Sequence, residues 1–162
     1  LDYGAGTGLL ALALAARVRR VLAVDASAGM LAVLAEKARA GGCANVAGLR
    51  ADFATDALPA GPFDLVVSAM TLHHVADVAG LLRKFFALLA PGGRIALADL
   101  DTEAGSFHGP DPPGAHHPGF DPPALARQLA AAGFIDVRFS DAARSEKNGR
   151  VYAVFLAAAR KP

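Results

Sequence analysis

Apolar segments of two kinds alternate along the 162-residue chain, and together they predict an α/β fold. Short, nearly continuous apolar runs are typical of strands that are buried on both faces of a sheet, whereas longer segments with apolar residues every three to four positions predict helices. No helix is predicted between the last two strands, so we expect them to pair antiparallel. The predicted strands are Leu1–Tyr3, Arg20–Val24, Val46–Arg50, Phe63–Ser68, Arg94–Leu100, Ile135–Ser140 and Val151–Ala158.

The helix ends are marked by capping residues and by glycine or proline. The first predicted helix is apolar almost all round, so we expect it to be buried. The helices are Gly8–Arg17, a second one that Ser27 caps and Gly41-Gly42 ends, a third one that Asp77 caps and Pro91-Gly92-Gly93 ends, and Leu125–Ala132 after the cap Asp121.

Residues 101–120 interrupt this alternation. They are rich in proline and glycine, and a segment of that length without regular structure is usually functional or mobile. The segment also contains His108, His116 and His117, which could bind a substrate or a metal ion. Their spacing fits no metal-binding motif, so we expect exposed loop histidines and no metal site.

Composition narrows the possible classes of protein. Hydrophobic residues make up 54% of the chain and charged residues 19%, which excludes a disordered tail. The net charge of +1 gives no electrostatic reason to expect binding to nucleic acid or to an anionic membrane. The longest apolar run, Leu9 to Ala16, is too short to span a bilayer. Cys43 is the only cysteine, which favours a reducing compartment, and we expect a cytoplasmic protein.

The length suits one domain over residues 1–162. The first three residues already read as the end of a buried strand, and strands usually run about 5–6 residues. We therefore expect that the first strand is truncated and that the N-terminus of the domain is incomplete.

A glycine-rich turn, Gly4-Ala5-Gly6-Thr7-Gly8, follows that first strand, and Asp25 ends the second strand about 20 residues on. Glycines let a ligand approach the backbone, and a carboxylate at the next strand end can accept hydrogen bonds from ribose hydroxyls. A dinucleotide fingerprint would require glycine at position 9, which is Leu9. Asp2, just before the turn, would sit badly beside a pyrophosphate but well beside a cation.

This pattern resembles the first motif of the class I S-adenosylmethionine-dependent methyltransferases, whose cofactor carries a sulfonium and an ammonium group and no phosphate. Later segments resemble further motifs of the family and extend the resemblance over nearly the whole chain. The family's fold is a Rossmann-like, doubly wound and mostly parallel seven-stranded sheet with a C-terminal antiparallel hairpin strand. The later segments are Arg50-Ala-Asp52-Phe53, Phe63-Asp-Leu-Val-Val-Ser68, Leu72-His73-His74 and Leu89-Ala-Pro-Gly-Gly93.

The resemblance implies a role for each part of the cofactor site. The glycine turn would lie against the methionine part, Asp2 near its amino end, Asp25 on the ribose, and Asp52 on the adenine amino group with Phe53 stacked near the ring. A helix-capping role would explain Asp2 equally well, and a place in the core would explain Met30 and Phe53 nearly as well. A plain turn for the glycines and a capping role for Asp25 are the weaker alternatives. The implied cofactor contacts are Asp2, Gly4, Ala5, Gly6, Gly8, Asp25, Ala26, Met30, Asp52, Phe53, Ser68 and Ala69.

The reaction implied by the family is an in-line displacement of the sulfonium methyl group by an acceptor, which we expect to be a small molecule. The motif that serves planar amino groups in nucleic acids, Asn-Pro-Pro-Tyr, is replaced here by Ser68-Ala-Met-Thr71. His73 and His74 are candidate general bases for an acceptor that must lose a proton, although packing or capping is the better interpretation of each. Asp99 and Asp101 are candidate substrate-side groups.

Two other functions are compatible with the sequence. A nicotinamide-dependent oxidoreductase would also use a glycine-rich turn and an acid at the next strand end. A protein that binds S-adenosylmethionine without catalysing transfer is the second alternative, since catalysis by alignment leaves no separate motif of catalytic residues.

Overall fold

The computed structural model describes residues 1–57, 59–102, 107, 114–147 and 149–162. In chain order the strands are Asp2–Tyr3 (β1), Val21–Asp25 (β2), Val46–Arg50 (β3), Phe63–Ala69 (β4), Leu89–Leu100 (β5), Ile135–Lys147 (β6) and Arg150–Arg160 (β7). The helices are Leu9–Ala15 (α1), Ala28–Ala40 (α2), Val78–Leu88 (α3) and Pro122–Ala131 (α4), and a 3₁₀ turn spans Leu72–His74.

The strands form one seven-stranded sheet in the order β3-β2-β1-β4-β5-β7-β6. The first five strands run parallel, and β7 pairs antiparallel with both β5 and β6. This confirms the predicted mostly parallel sheet with an antiparallel C-terminal hairpin. The short β1 lies inside the sheet between β2 and β4, so the glycine turn that follows it lies at the sheet's carboxyl edge.

Helices cover both faces of the sheet, as alternate residues of β2 demonstrate. Leu22 and Val24 pack into a large apolar cluster with α3 and α4, whereas Val21 and Ala23 pack with α1 and α2. Because successive side chains of a strand point to opposite faces, the two clusters lie on opposite sides of the sheet. No helix in the described part of the chain has both the length and the apolar character needed to cross a membrane.

Capping residues predicted from the sequence do cap their helices. The Ser27 hydroxyl accepts a hydrogen bond from the Met30 amide, the Asp77 carboxylate from the Gly80 amide, and the Asp121 carboxylate from the Ala124 amide. The expected burial of the first helix is wrong, because only Ala11 and Ala15 of α1 are buried while Leu9 is 83% exposed. A helix lying on one face of a sheet buries a single stripe of its surface.

Two strand boundaries also differ from the prediction. β5 begins at Leu89, which pairs with Phe63, and the register shifts before Arg94 pairs with Leu65. The predicted sixth strand ends at Ser140, but β6 continues to Lys147, which pairs with Arg150 of β7. β6 is an edge strand with mostly exposed side chains, so backbone pairing extends it without an alternating apolar pattern.

Candidate functional site

A cavity of about 450 Å³ opens at the carboxyl ends of β1, β2 and β3, beside the 3₁₀ turn and the start of α3. Ligands of open α/β sheets bind at this edge. Its walls are formed by Tyr3, Gly4, Asp25, Ala26, Ala51, Asp52, Phe53, Ala54, Thr71, His74, Val75, Ala76, Asp77, Gly80, Leu81, Lys84 and His116.

The glycine turn is fastened to the end of β2. The amides of Gly4 and Ala5 donate to the carbonyl of Val24, and the Gly6 amide donates to the Asp25 carboxylate at 2.8 Å. Gly4 and Gly6 adopt φ values of 69° and 54°, which residues with a side chain rarely adopt. A Cβ atom on Gly6 would meet no atom within 4 Å, so the turn presents an open backbone surface to a ligand.

Asp25 is held from two sides at the cavity wall. One carboxylate oxygen accepts from the Gly6 amide and the other from the Ser27 amide, both at 2.8 Å. Each oxygen has a further lone-pair position, so the carboxylate can accept additional hydrogen bonds from hydroxyl groups in the cavity. Asp25 and its neighbour Ala26 therefore lie where the sequence predicts them.

Asp2 lies behind the glycine turn and not in the wall of this cavity. The residue is 2% exposed, and its Oδ2 atom has no hydrogen-bond partner. Burial raises the pKa of the Asp2 carboxyl from 3.8 to about 6, because the ionised form loses hydration. An unpartnered buried oxygen next to the turn is suited to a cation or to a bridging water molecule.

The loop after β3 forms the far wall. The Asp52 carboxylate accepts from the Ala54 amide at 2.8 Å, and the Asp52 amide donates to Asp56. Phe53 borders the cavity, but its side chain is completely buried and packs against the rings of Tyr3 and Phe85 at 4.8 and 6.5 Å. The ring of Phe53 is therefore part of the apolar core at the cavity wall, and its stacking near a ligand stays a prediction.

One face of α3 supplies wall residues that the sequence analysis missed. Asp77, Gly80, Leu81 and Lys84 lie three to four positions apart, which places them on one side of the helix. The Lys84 ammonium donates to the carbonyl of Phe53 and so links α3 to the loop after β3. The helical spacing was visible in the sequence, but nothing in it indicated which side faces the cavity.

The adjacent histidines have different surroundings. His73 is 1% exposed, and its Nδ1 lies 2.6 Å from the carboxylate of Asp99, which is completely buried. His74 lines the cavity, and its Nδ1 lies 2.8 Å from the carbonyl of Gly114. A carbonyl only accepts, so Nδ1 of His74 carries a proton and Nε2 is the basic nitrogen of the neutral ring.

Several expected contacts lie away from the cavity wall. Met30 is 46% exposed in the first turn of α2, and the buried Ser68 hydroxyl donates to the Tyr3 carbonyl, which joins β4 to β1. Asp99 is a buried hydrogen-bond acceptor, so its expected role on the substrate side is wrong.

Most of the proline- and glycine-rich segment, including His108, lies outside the described residues. The other expected residues not in the wall are Ala5, Gly6, Gly8, Ala69 and His73.

Comparison with known proteins gives consistent results. A family described as a methyltransferase domain matches residues 1–138. An uncharacterized methyltransferase of Schizosaccharomyces pombe is 34% identical over 139 residues, which cover 77% of this chain and 49% of that protein. A ubiquinone biosynthesis O-methyltransferase of Methylocella silvestris is 34% identical over 149 residues, which cover 82% of this chain and 56% of that protein. The chain spans about half the length of these curated relatives.

Solved structures share the fold. Phosphoethanolamine N-methyltransferase 2 of Haemonchus contortus, determined in complex with S-adenosyl-L-methionine, matches with a TM-score of 0.79. The match covers 99% of this chain and 48% of that one, at 20% sequence identity. A likeness at this identity demonstrates a common fold.

The buried Asp2 carboxyl predicts a pH-dependent gain in stability for Asp2→Asn. The folded-state pKa of about 6 lies above the ordinary value, so the wild-type protein loses stability as the pH rises from about 4 to 7. A difference of one in pKa between the folded and unfolded states corresponds to about 1.4 kcal/mol. The variant should therefore have a higher free energy of unfolding at pH 7, and this gain should shrink towards pH 4.

Urea unfolding at several pH values measures the effect. Asp141→Asn, which removes an exposed carboxylate in β6, controls for the change in net charge. An equal gain at pH 4 and pH 7 would contradict a burial penalty on the ionised form.

Proposed function

The chain belongs to the class I S-adenosylmethionine-dependent methyltransferases, and we propose that it methylates a small-molecule acceptor by direct in-line displacement. The main support is the cavity at the carboxyl edge of the sheet, where Asp25 and Asp52 stand at consecutive strand ends and Gly4 of the glycine turn also lines the wall. Both carboxylates accept hydrogen bonds, which suits ribose hydroxyls and an adenine amino group.

The residues present fit this cofactor. Asp25 would accept from the ribose and Asp52 from the adenine, while the glycine turn offers backbone surface to the methionine part. The unpartnered oxygen of Asp2 lies next to that turn and favours a positive group nearby, directly or through water. These assignments agree with those that the family resemblance implies for the same residues.

When bound, S-adenosylmethionine supplies a methyl group on a positively charged sulfur, which the acceptor takes in one step. The protein's own contribution is alignment, which can lower a barrier by about 7–11 kcal/mol when both reactants are held in place. Leu81 and Val75 give part of the cavity an apolar wall. No covalent nucleophile is required.

A small acceptor is supported by the size of the site. Ligand cavities commonly measure about 300–1,000 Å³, and about 450 Å³ leaves little room beside a nucleoside cofactor. The net charge of +1 gives no reason to expect nucleic acid. The relative from Methylocella silvestris is named a ubiquinone biosynthesis O-methyltransferase.

Ligand-induced stabilisation and product formation test this function. S-adenosylhomocysteine should raise the melting temperature, since a ligand that binds only the folded state stabilises it, whereas NADH should not. S-adenosylhomocysteine should then form from S-adenosylmethionine with some members of a panel of small phenols, amines and thiols. Stabilisation by NADH alone, or product formation only with DNA or RNA, would contradict the proposal.

Asp25→Ala should weaken the binding of S-adenosylhomocysteine. Two hydroxyl groups would lose a charged acceptor, and each such hydrogen bond is worth about 1.5–3 kcal/mol. Calorimetry on the wild type and the variant measures this, with Asp64→Ala as the control at the opposite end of the strands. An unchanged dissociation constant would remove Asp25 from the cofactor site.

His74→Ala is expected to slow methyl transfer by less than about 100-fold, because alignment and not proton removal carries the catalysis proposed here. A general base typically contributes about 10²–10⁴-fold. Single-turnover rates, together with the affinity for S-adenosylhomocysteine, separate the two cases. A loss within the larger range at unchanged affinity would instead make His74 the general base.

A further inference from the structure

The carboxylate of Asp99 holds together the carboxyl ends of β4 and β5. One oxygen accepts from the amides of Thr71 and Leu72 at 3.1 and 2.8 Å. The other carboxylate oxygen accepts from the Leu100 amide at 2.8 Å and lies 2.6 Å from Nδ1 of His73. Asp99 is completely buried, so these donors replace the water that an exposed carboxylate would bind.

The backbone of His73 has a second role. Its carbonyl accepts from the amides of His116 and His117 at 2.8 and 3.1 Å. The ring of His117 also donates to the carbonyl of Val75 at 3.0 Å, and His74 donates to the carbonyl of Gly114 at 2.8 Å. Residues 114–117, which we call the docked loop, are thereby fastened to the 3₁₀ turn by four hydrogen bonds.

The docked loop belongs to no helix or strand, yet it contributes His116 to the cavity wall. Within the described part of the chain, these four hydrogen bonds tie the docked loop to His73, His74 and Val75, so its position depends on the orientation of the 3₁₀ turn. That orientation is in turn set by Asp99, which binds two amides and one side chain of the turn segment.

We propose that Asp99 and His73 are positioning residues that hold the docked loop in place as a wall of the cavity. The His73 ring anchors the turn by its hydrogen bond to Asp99, and the His73 carbonyl accepts the hydrogen bonds from the docked loop. Neither group needs to touch the cofactor or the acceptor, so the proposal is independent of which acceptor binds.

The variant His73→Asn distinguishes a side chain that only donates a hydrogen bond to Asp99 from one that acts as a base. Its Nδ2 is the same number of bonds from Cα as Nδ1 of histidine, so it can donate to Asp99 from nearly the same place. It has no titratable ring nitrogen, however, and cannot accept a proton as a base. His73→Leu removes the donor altogether.

Amide hydrogen exchange at His116 and His117 is the readout, because these amides are the donors to the His73 carbonyl and local opening exposes them. In the full chain with saturating S-adenosylhomocysteine, Asp99→Asn and His73→Leu should accelerate their exchange at least about tenfold, which matches the loss of a hydrogen bond to a charged group. His73→Asn should stay within about threefold of the wild type. Asp141→Asn, which removes an exposed carboxylate in β6, should have no effect.

Exchange at the Leu97 amide in β5 monitors global stability in the same samples. Unchanged exchange at His116 and His117 in His73→Leu would overturn the proposal, as would an equal acceleration at Leu97. If His73→Asn behaves like His73→Leu, the ring is not an anchor and the proposal fails. Should Asp99→Asn not fold, the two His73 variants still decide the question.

Discussion

The hydrogen bond from the Gly6 amide to the Asp25 carboxylate is the interaction around which the site is built. It joins the turn after β1 to the end of β2, and the same carboxylate also accepts from Ser27, which caps α2. Such a bond is possible because parallel neighbours place their carboxyl ends at one edge of the sheet, and because Gly6 adopts a positive φ that residues with a side chain rarely adopt. Two strand-to-helix connections are thereby fixed relative to each other beside the cavity.

The features of the fold that the sequence predicted are those that depend on residues close together in the chain. The strand Val46–Arg50 has the predicted ends, and Ser27, Asp77 and Asp121 cap their helices, since apolar runs and caps depend on neighbouring residues alone. The extension of the last hairpin to Lys147 could not be predicted in this way. It rests on backbone pairing with β7, which leaves no trace in the order of polar and apolar side chains.

The residues of the candidate site also fall into those that the sequence predicts and those that it does not. Gly4, Asp25 and Asp52 meet as predicted, because each follows a parallel strand and the topology brings those strand ends together. Lys84 could not be predicted, since its partner is a backbone carbonyl about 30 residues away in the chain. The sequence also could not decide between His73 and His74. Neighbours in a 3₁₀ turn point in different directions, and only the packing of the turn on β5 determines that the first is buried.

Charge explains why this arrangement suits a cationic cofactor better than a dinucleotide. Among the described wall residues, three carboxylates (Asp25, Asp52 and Asp77) face one ammonium, that of Lys84, which is already engaged with a carbonyl. Asp2 adds a further carboxyl behind the turn. A pyrophosphate would bring two more negative charges to within a few ångströms of these groups, at a cost that rises as water is excluded. A sulfonium or ammonium group reverses the sign of that interaction, so selectivity between cofactors lies in these side chains and not in the sheet that carries them.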